Sequence, residues 1–130
     1  MVGRSKQREQ AFLLIFQDIF GGEYSEAIEL LSEETEPVGD FAKALFVGVK
    51  ENADELDSII EAHLSSWKLK RIPKVNLAIL RLAIYEIKYV EDVPASVAIN
   101  EAVELAKTYS GKEDASFVNG VLGAYVRGLE

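Results

Sequence analysis

Asp92-Val-Pro-Ala-Ser-Val-Ala-Ile-Asn-Glu-Ala-Val-Glu-Leu-Ala-Lys-Thr-Tyr109, followed shortly by Phe117-Val-Asn-Gly-Val-Leu122, decides how the rest of the chain is read. Val97, Ala98, Ala102, Val103, Leu105, Ala106 and Tyr109 mostly recur at helical spacing, which predicts an amphipathic helix. Asp92 and Pro94 open it. Lys107 suits the negative end of the helix dipole, and Gly111 ends the segment. Val118-Asn119-Gly120-Val121 also has the composition of a hairpin turn. Phe117, Val118, Val121, Leu122 and Tyr125 keep helical spacing, however, and no strand-like partner flanks them. A last helix from about Glu113 to Leu129 is therefore expected. Gly120 inside it costs about 1 kcal/mol relative to Ala, a cost that a close helix–helix approach would offset.

Outward from this pair the same period recurs. A first helix is predicted from about Arg4 to Phe20, with Ala11, Phe12, Ile15, Phe16, Ile19 and Phe20 on a face that Leu13 and Leu14 widen; Gly21-Gly22 stops it. A second covers roughly Glu23 to Glu33. Asp40 is the expected N-cap of a third, through Phe41, Ala44, Leu45, Gly48 and Val49. Asp54 is the expected cap of a fourth, with Leu56, Ile59, Ile60, Leu64 and Trp67 at helical intervals. After a connection from Ser65 to Ile72, Pro73 suits the first turn of a fifth. Val75, Ile79, Leu80, Leu82, Ala83 and Ile87 make that helix the centre of the bundle. About seven helices result, with no strand alternation, internal repeat or dividing linker. The expectation is an all-α chain forming one domain over residues 1–130.

With 48% hydrophobic and 28% charged residues, the composition is neither that of a disordered chain nor that of a membrane protein. No apolar run reaches the roughly 18 residues of a spanning helix, and no apolar leader segment opens the sequence. Cysteine is absent, which excludes disulfides, zinc–thiolate sites and thiol chemistry and fits a cytoplasmic location. The net charge of −8 argues, taken whole, against nucleic acid. Its distribution argues otherwise. Arg4, Lys6 and Arg8 form one basic cluster; Lys68, Lys70, Arg71, Lys74 and Arg81 form another, and no acid lies between Ala62 and Tyr85. Together they hold eight of the 14 Lys and Arg. They make either one positive face, if the clusters meet, or ordinary solvated surface.

Catalytic signals are sparse. His63, the one histidine, falls on the apolar stripe of the fourth helix and reads as a packing residue. One His without Cys does not build the common transition-metal sites, and no phosphate-cradling glycine motif is present. Pairs such as Glu101 and Glu104 read as a solvated helix face. The expectation is a protein that is not an enzyme, with no cofactor and no metal. Phe12, Phe16, Tyr85 and Tyr109 are the aromatics nearest the cations, available either to stack on unpaired bases or to fill the core.

Four segments, taken in order, resemble the NusB family. Arg4-Ser-Lys-Gln-Arg-Glu-Gln-Ala-Phe-Leu-Leu-Ile-Phe-Gln17 is similar to the arginine-rich start of its first helix, and Phe41 to Val49 to its segment ending in Gly-Val. Trp67 to Glu86, with Ile79-Leu-Arg-Leu-Ala-Ile-Tyr-Glu86, is similar to its central helix; the C-terminal pair quoted at the outset completes the set. The resemblance implies an all-α fold of two packed helical bundles. It implies binding to boxA RNA of ribosomal-operon transcripts, pairing with the ribosomal protein NusE, and assembly on RNA polymerase to suppress premature termination. It implies RNA contact by Arg4, Lys6, Arg8 and Arg81, and partner contact by Phe16, Tyr109 and the acid Glu113 or Asp114. Lys6 stands where arginine is frequent, which removes a bidentate phosphate contact. Gly123 stands where many members carry Asp.

Other functions fit the same features. NusB-like domains serve as RNA-binding parts of some ribosomal RNA cytosine methyltransferases, but this chain lacks a cofactor glycine motif. A protein-interaction module that selects basic partners or self-associates as a homodimer is a further reading. A helix-turn-helix DNA reader is opposed by its charge, since Lys112 and Arg127 are too few cations for phosphate positioning.

Overall fold

The computed structural model describes residues 3–21, 37–64 and 69–129. Six α-helices occupy them: α1 (Arg4–Ile19), α2 (Asp40–Glu51), α3 (Ala53–Ala62), α4 (Lys74–Tyr89), α5 (Ala95–Tyr109) and α6 (Lys112–Leu129), with a single 3-10 turn at Leu69–Arg71 before α4. The helix expected over Glu23 to Glu33, and Trp67 and Lys68, lie outside the described residues.

α4 is the hub, touching each of the other five helices. On it pack α1, α2 and α3, successive neighbours of one another, and separately the α5–α6 pair, so two helical bundles share one central element. The sequence dictates this centrality. Asn76, Leu77, Ala78, Ile79, Leu80, Leu82, Ala83, Ile84 and Glu86 are all buried, an apolar surface too wide for one neighbour. Phe12 and Leu14 of α1, Leu45 and Phe46 of α2, Leu56 and Ile60 of α3, and Leu122 of α6 fill the core around it. Each such side chain contributes about 1.5–3 kcal/mol.

Helix ends depart from the expected capping. Gly39 and Asn52, rather than Asp40 and Asp54, are the N-cap residues of α2 and α3, and neither makes a side-chain cap. Asp40 and Asp54 lie just inside, where their charge still suits the helix dipole. Pro73 sits immediately before α4, and its carbonyl accepts from the Leu77 N–H at 3.0 Å. α3 stops at Ala62, so Leu64 lies beyond it. On α2, Ala44 is exposed while Ala42 and Phe46 are buried. Residues 118–121 are helical, as their spacing predicts, but among the described residues no helix approaches Gly120 closely. The close approach is instead at Gly48, against the Tyr85 ring. Between α5 and α6, Gly111 adopts φ +143°, a conformation that favours glycine.

Candidate nucleic-acid and partner interface

The N-terminal basic cluster divides by burial. Arg4 and Lys6 keep nearly half of their side-chain surface exposed. The Arg4 guanidinium lies 4.4 Å from the centre of the Phe41 ring and 3.1 Å from the Asp92 carboxylate. Lys6 Nζ donates to Glu9 Oε1 at 2.8 Å. Arg8 does not join this surface: it is 5% exposed, a correction to its reading as a surface cation. Its Nε donates to both carboxylate oxygens of Glu86 on α4, at 2.8 and 3.0 Å, and its Nη1 to Glu101 Oε1 on α5 at 3.4 Å. Burial pushes the Glu86 carboxyl above its ordinary range, and Arg8 draws it only part of the way back.

The two basic clusters do not merge. Arg4 meets Asp92, just past the C-terminal end of α4, whereas Leu69–Arg71 and Lys74 stand at the N-terminal end. A helix of 16 residues separates them by about 24 Å. Among the described residues Lys70, Arg71 and Lys74 have no ion-pair partner. Arg81 is held in a two-pronged pair with Asp57 of α3: Nε to Oδ1 and Nη2 to Oδ2, both 2.7 Å.

Beside Lys6 begins an aromatic row. Glu9 Oε2 accepts the Tyr109 hydroxyl at 2.9 Å while Oε1 holds Lys6, so one carboxylate joins the cation to the aromatic. The Lys6 hydrogen bond leads in holding Glu9 below the usual carboxylate range. Burial and the Glu9 contact push the Tyr109 phenol up to about 12. The Tyr109 ring lies 4.9 Å from Phe12, Phe12 lies 6.1 Å from Phe16, and Phe16 lies 5.1 Å from Phe20. Phe12 is core, Phe16 is half-buried, and Tyr109 and Phe20 are exposed. The fold thus brings Phe16 and Tyr109 together through Phe12. Tyr85 lies tilted against Tyr89 at 5.1 Å, away from this row, beside an open groove of about 490 Å³ that Arg4 and Phe41 also line.

Of the two acids, Glu113 is exposed, and Asp114 is tied down: Asn76 Nδ2 of α4 donates to it at 3.0 Å, and Ser110 also donates to it. These hydrogen bonds, Ser110's first, lower its carboxyl from the usual range. His63 is half-buried at the end of α3, with Nδ1 2.8 Å from the Ile59 carbonyl and its ring edge-on to Tyr125, a packing role. Among the described residues no cluster of His, Cys, Asp and Glu has a metal-binding arrangement, and no helix is long and apolar enough to cross a membrane. The residues that sequence reasoning missed are Glu86 and Glu101. Their only local signal was a carboxylate amid apolar neighbours on α4 and another on a helix face that reads as solvated.

Comparison with known proteins places this arrangement. The NusB family model matches residues 5–127. The transcription antitermination protein NusB of Clostridium botulinum is 42% identical over 143 aligned residues, covering 96% of this chain and all of that protein. The protein of the same name from Acetivibrio thermocellus is 47% identical, with 97% and 90% covered. A crystal structure of the antitermination factors NusB and NusE in complex with dsRNA superposes with a TM-score of 0.86 at 30% identity, covering 96% of each chain.

Proposed function

The chain belongs to the NusB family, and from that membership we infer that it is a transcription antitermination factor that binds boxA RNA of ribosomal-operon transcripts together with NusE. One observation carries the reading: nearly the whole chain matches proteins named for antitermination, and a solved relative is held with NusE and RNA. The protein acts by assembly on RNA polymerase rather than by chemistry, and works in the cytoplasm as a single domain.

The geometry supports a division of labour. Arg4 and Lys6 are the exposed cations available to RNA phosphates, with Arg8 directly behind them. Arg81 joins them only where RNA displaces its pairing with Asp57. Phe16 and Tyr109, with Glu113 and Asp114 nearby in sequence, form the surface for the ribosomal protein, whose basic character suits a chain of net charge −8. Because Glu9 touches both Lys6 and Tyr109, the RNA and protein surfaces are continuous along α1.

Titration of boxA RNA and a scrambled control, each with and without NusE, tests this. Preferential boxA binding that NusE tightens is expected. Equal binding to both RNAs under both conditions defeats it, and light scattering then decides whether the exposed aromatic row serves a homodimer.

A further inference from the structure

The first turns of α1 carry the exposed cations, yet no cap closes their N-terminal end. The N-cap is Gly3, without a side-chain cap, and no acid stands in the first turn to oppose the helix dipole. Such an end frays unless tertiary contacts fix it. The contacts are there. Arg8 reaches Glu86 and Glu101 on two different helices, and Ser5 also donates to Glu101. Gln7 accepts the Ala42 N–H at 3.2 Å, and Gln10 bridges to the Pro37 carbonyl and the Gly39 N–H.

Arg8 differs from its neighbours in having no charge to offer. One guanidinium faces two carboxylates, and the space left beside them is about 10 Å³, barely enough for one water. For a phosphate to take Arg8, both carboxylates would have to give up their partner in a dry site, a costly exchange. Arg8 and Arg4 are also one turn apart on the same side of α1, so fixing Arg8 fixes the direction in which Arg4 leaves the helix.

We propose that Glu86 and Glu101 are positioning residues for RNA binding, which clamp Arg8 and thereby hold Arg4 and Lys6 ready for phosphates, while Arg8 itself contacts no RNA. The proposal rests on the RNA-binding reading above and deepens it. Its consequence opposes simple electrostatics. Removing a carboxylate from an acidic protein should strengthen its binding to RNA. Removing one from the clamp should weaken it, because two long side chains must then be ordered on binding.

The test is boxA titration over a range of salt with the full chain and NusE, beside amide exchange of residues 5–8 in the free protein. Glu86→Gln and Glu101→Gln are expected to speed exchange there and to weaken binding about tenfold, the ordering cost of two side chains. The paired replacement Arg8→Met with Glu86→Met seals the same interior site without charge. It is expected to bind within about twofold of wild type, with the same dependence on salt. Tighter or unchanged binding by Glu101→Gln, which alters only a half-buried carboxylate and leaves the core intact, overturns the proposal. So does a salt slope reduced by about 0.7 in the Met pair, the mark of one fewer phosphate neutralised on a single strand. Wild-type protein that binds no RNA sinks the parent reading; wild-type binding with unaltered clamp variants sinks the clamp alone.

Discussion

Gly48 of α2 and Tyr85 of α4 share one volume: a β-carbon at Gly48 would lie 2.1 Å from Cζ of the Tyr85 ring. The Tyr85 ring must shift to make room, against its tilted contact with Tyr89 5.1 Å away. Gly48→Ala should therefore destabilise the fold by about 1–3 kcal/mol through overpacking. In a Tyr85→Leu background the same change should cost much less. Urea unfolding of the four proteins of this cycle measures the difference; equal costs in both backgrounds would show that the ring is not the obstacle.

Arg4 and Lys6 are the cations of the N-terminal turn expected to meet phosphates. Replacing both by Ala should weaken RNA binding and lower the slope of log affinity against log salt by about 0.7 for each phosphate no longer neutralised. Binding isotherms at several salt concentrations give the slope directly.

The Tyr109 phenol is pushed up from 10.0 to about 12, so the folded state holds its proton more tightly than the unfolded chain does. The stability this supplies is fully present below pH 10 and is lost as pH rises through about 12. Absorbance titration should find a late-ionising tyrosine that is lost in Tyr109→Phe, beside Tyr89 and Tyr125, whose phenols are also raised. Because the Glu9 carboxylate contributes to the shift, Glu9→Gln should bring that ionisation to lower pH.

Asp57 and Arg81 tie α3 to α4 through two parallel hydrogen bonds with both side chains mostly shielded. Asp57→Ala should cost about 1.5–3 kcal/mol, the range for hydrogen bonds to charged groups. Arg81→Lys should fail to restore full stability, since a single ammonium does not reproduce the planar fork. Thermal melting compares the three chains.

Gly120 lies inside α6 with nothing near the position of a side chain. Gly120→Ala should raise stability by about 0.5–1 kcal/mol, by restricting the unfolded chain and improving helix propensity. A lower melting temperature would show that the position is not open.

Helical periodicity made the helices and the hub legible, because apolar spacing is a local property that one strip of sequence displays. Ile79, Leu80 and Ile84 announce a buried α4 by themselves. Capping was less legible: Asp40 and Asp54 have the right chemistry, yet the cap positions fall at Gly39, one residue earlier, and at Asn52, two residues earlier. The site was half legible. Arg4 and Lys6 are exposed, as cations usually are, but Arg8 looks the same as Arg4 in sequence. Only the meeting of positions 78 residues apart distinguishes a buried ion-paired guanidinium from an exposed one. Gly48 against Tyr85 was illegible for the same reason, and Gly120 shows the converse, a glycine that suggested a close approach where there is none.

The charged partners of α1 lie far along the chain: Glu86, Glu101 and Tyr109 follow their counterparts Arg8 and Glu9 by 78, 93 and 100 positions. A ribosome making this protein releases the cationic turn well before the residues that clamp it. Until they emerge, the first helix has its charges and its contacts to α2 but not its clamp, so ordered presentation of those charges waits on residues far along the chain.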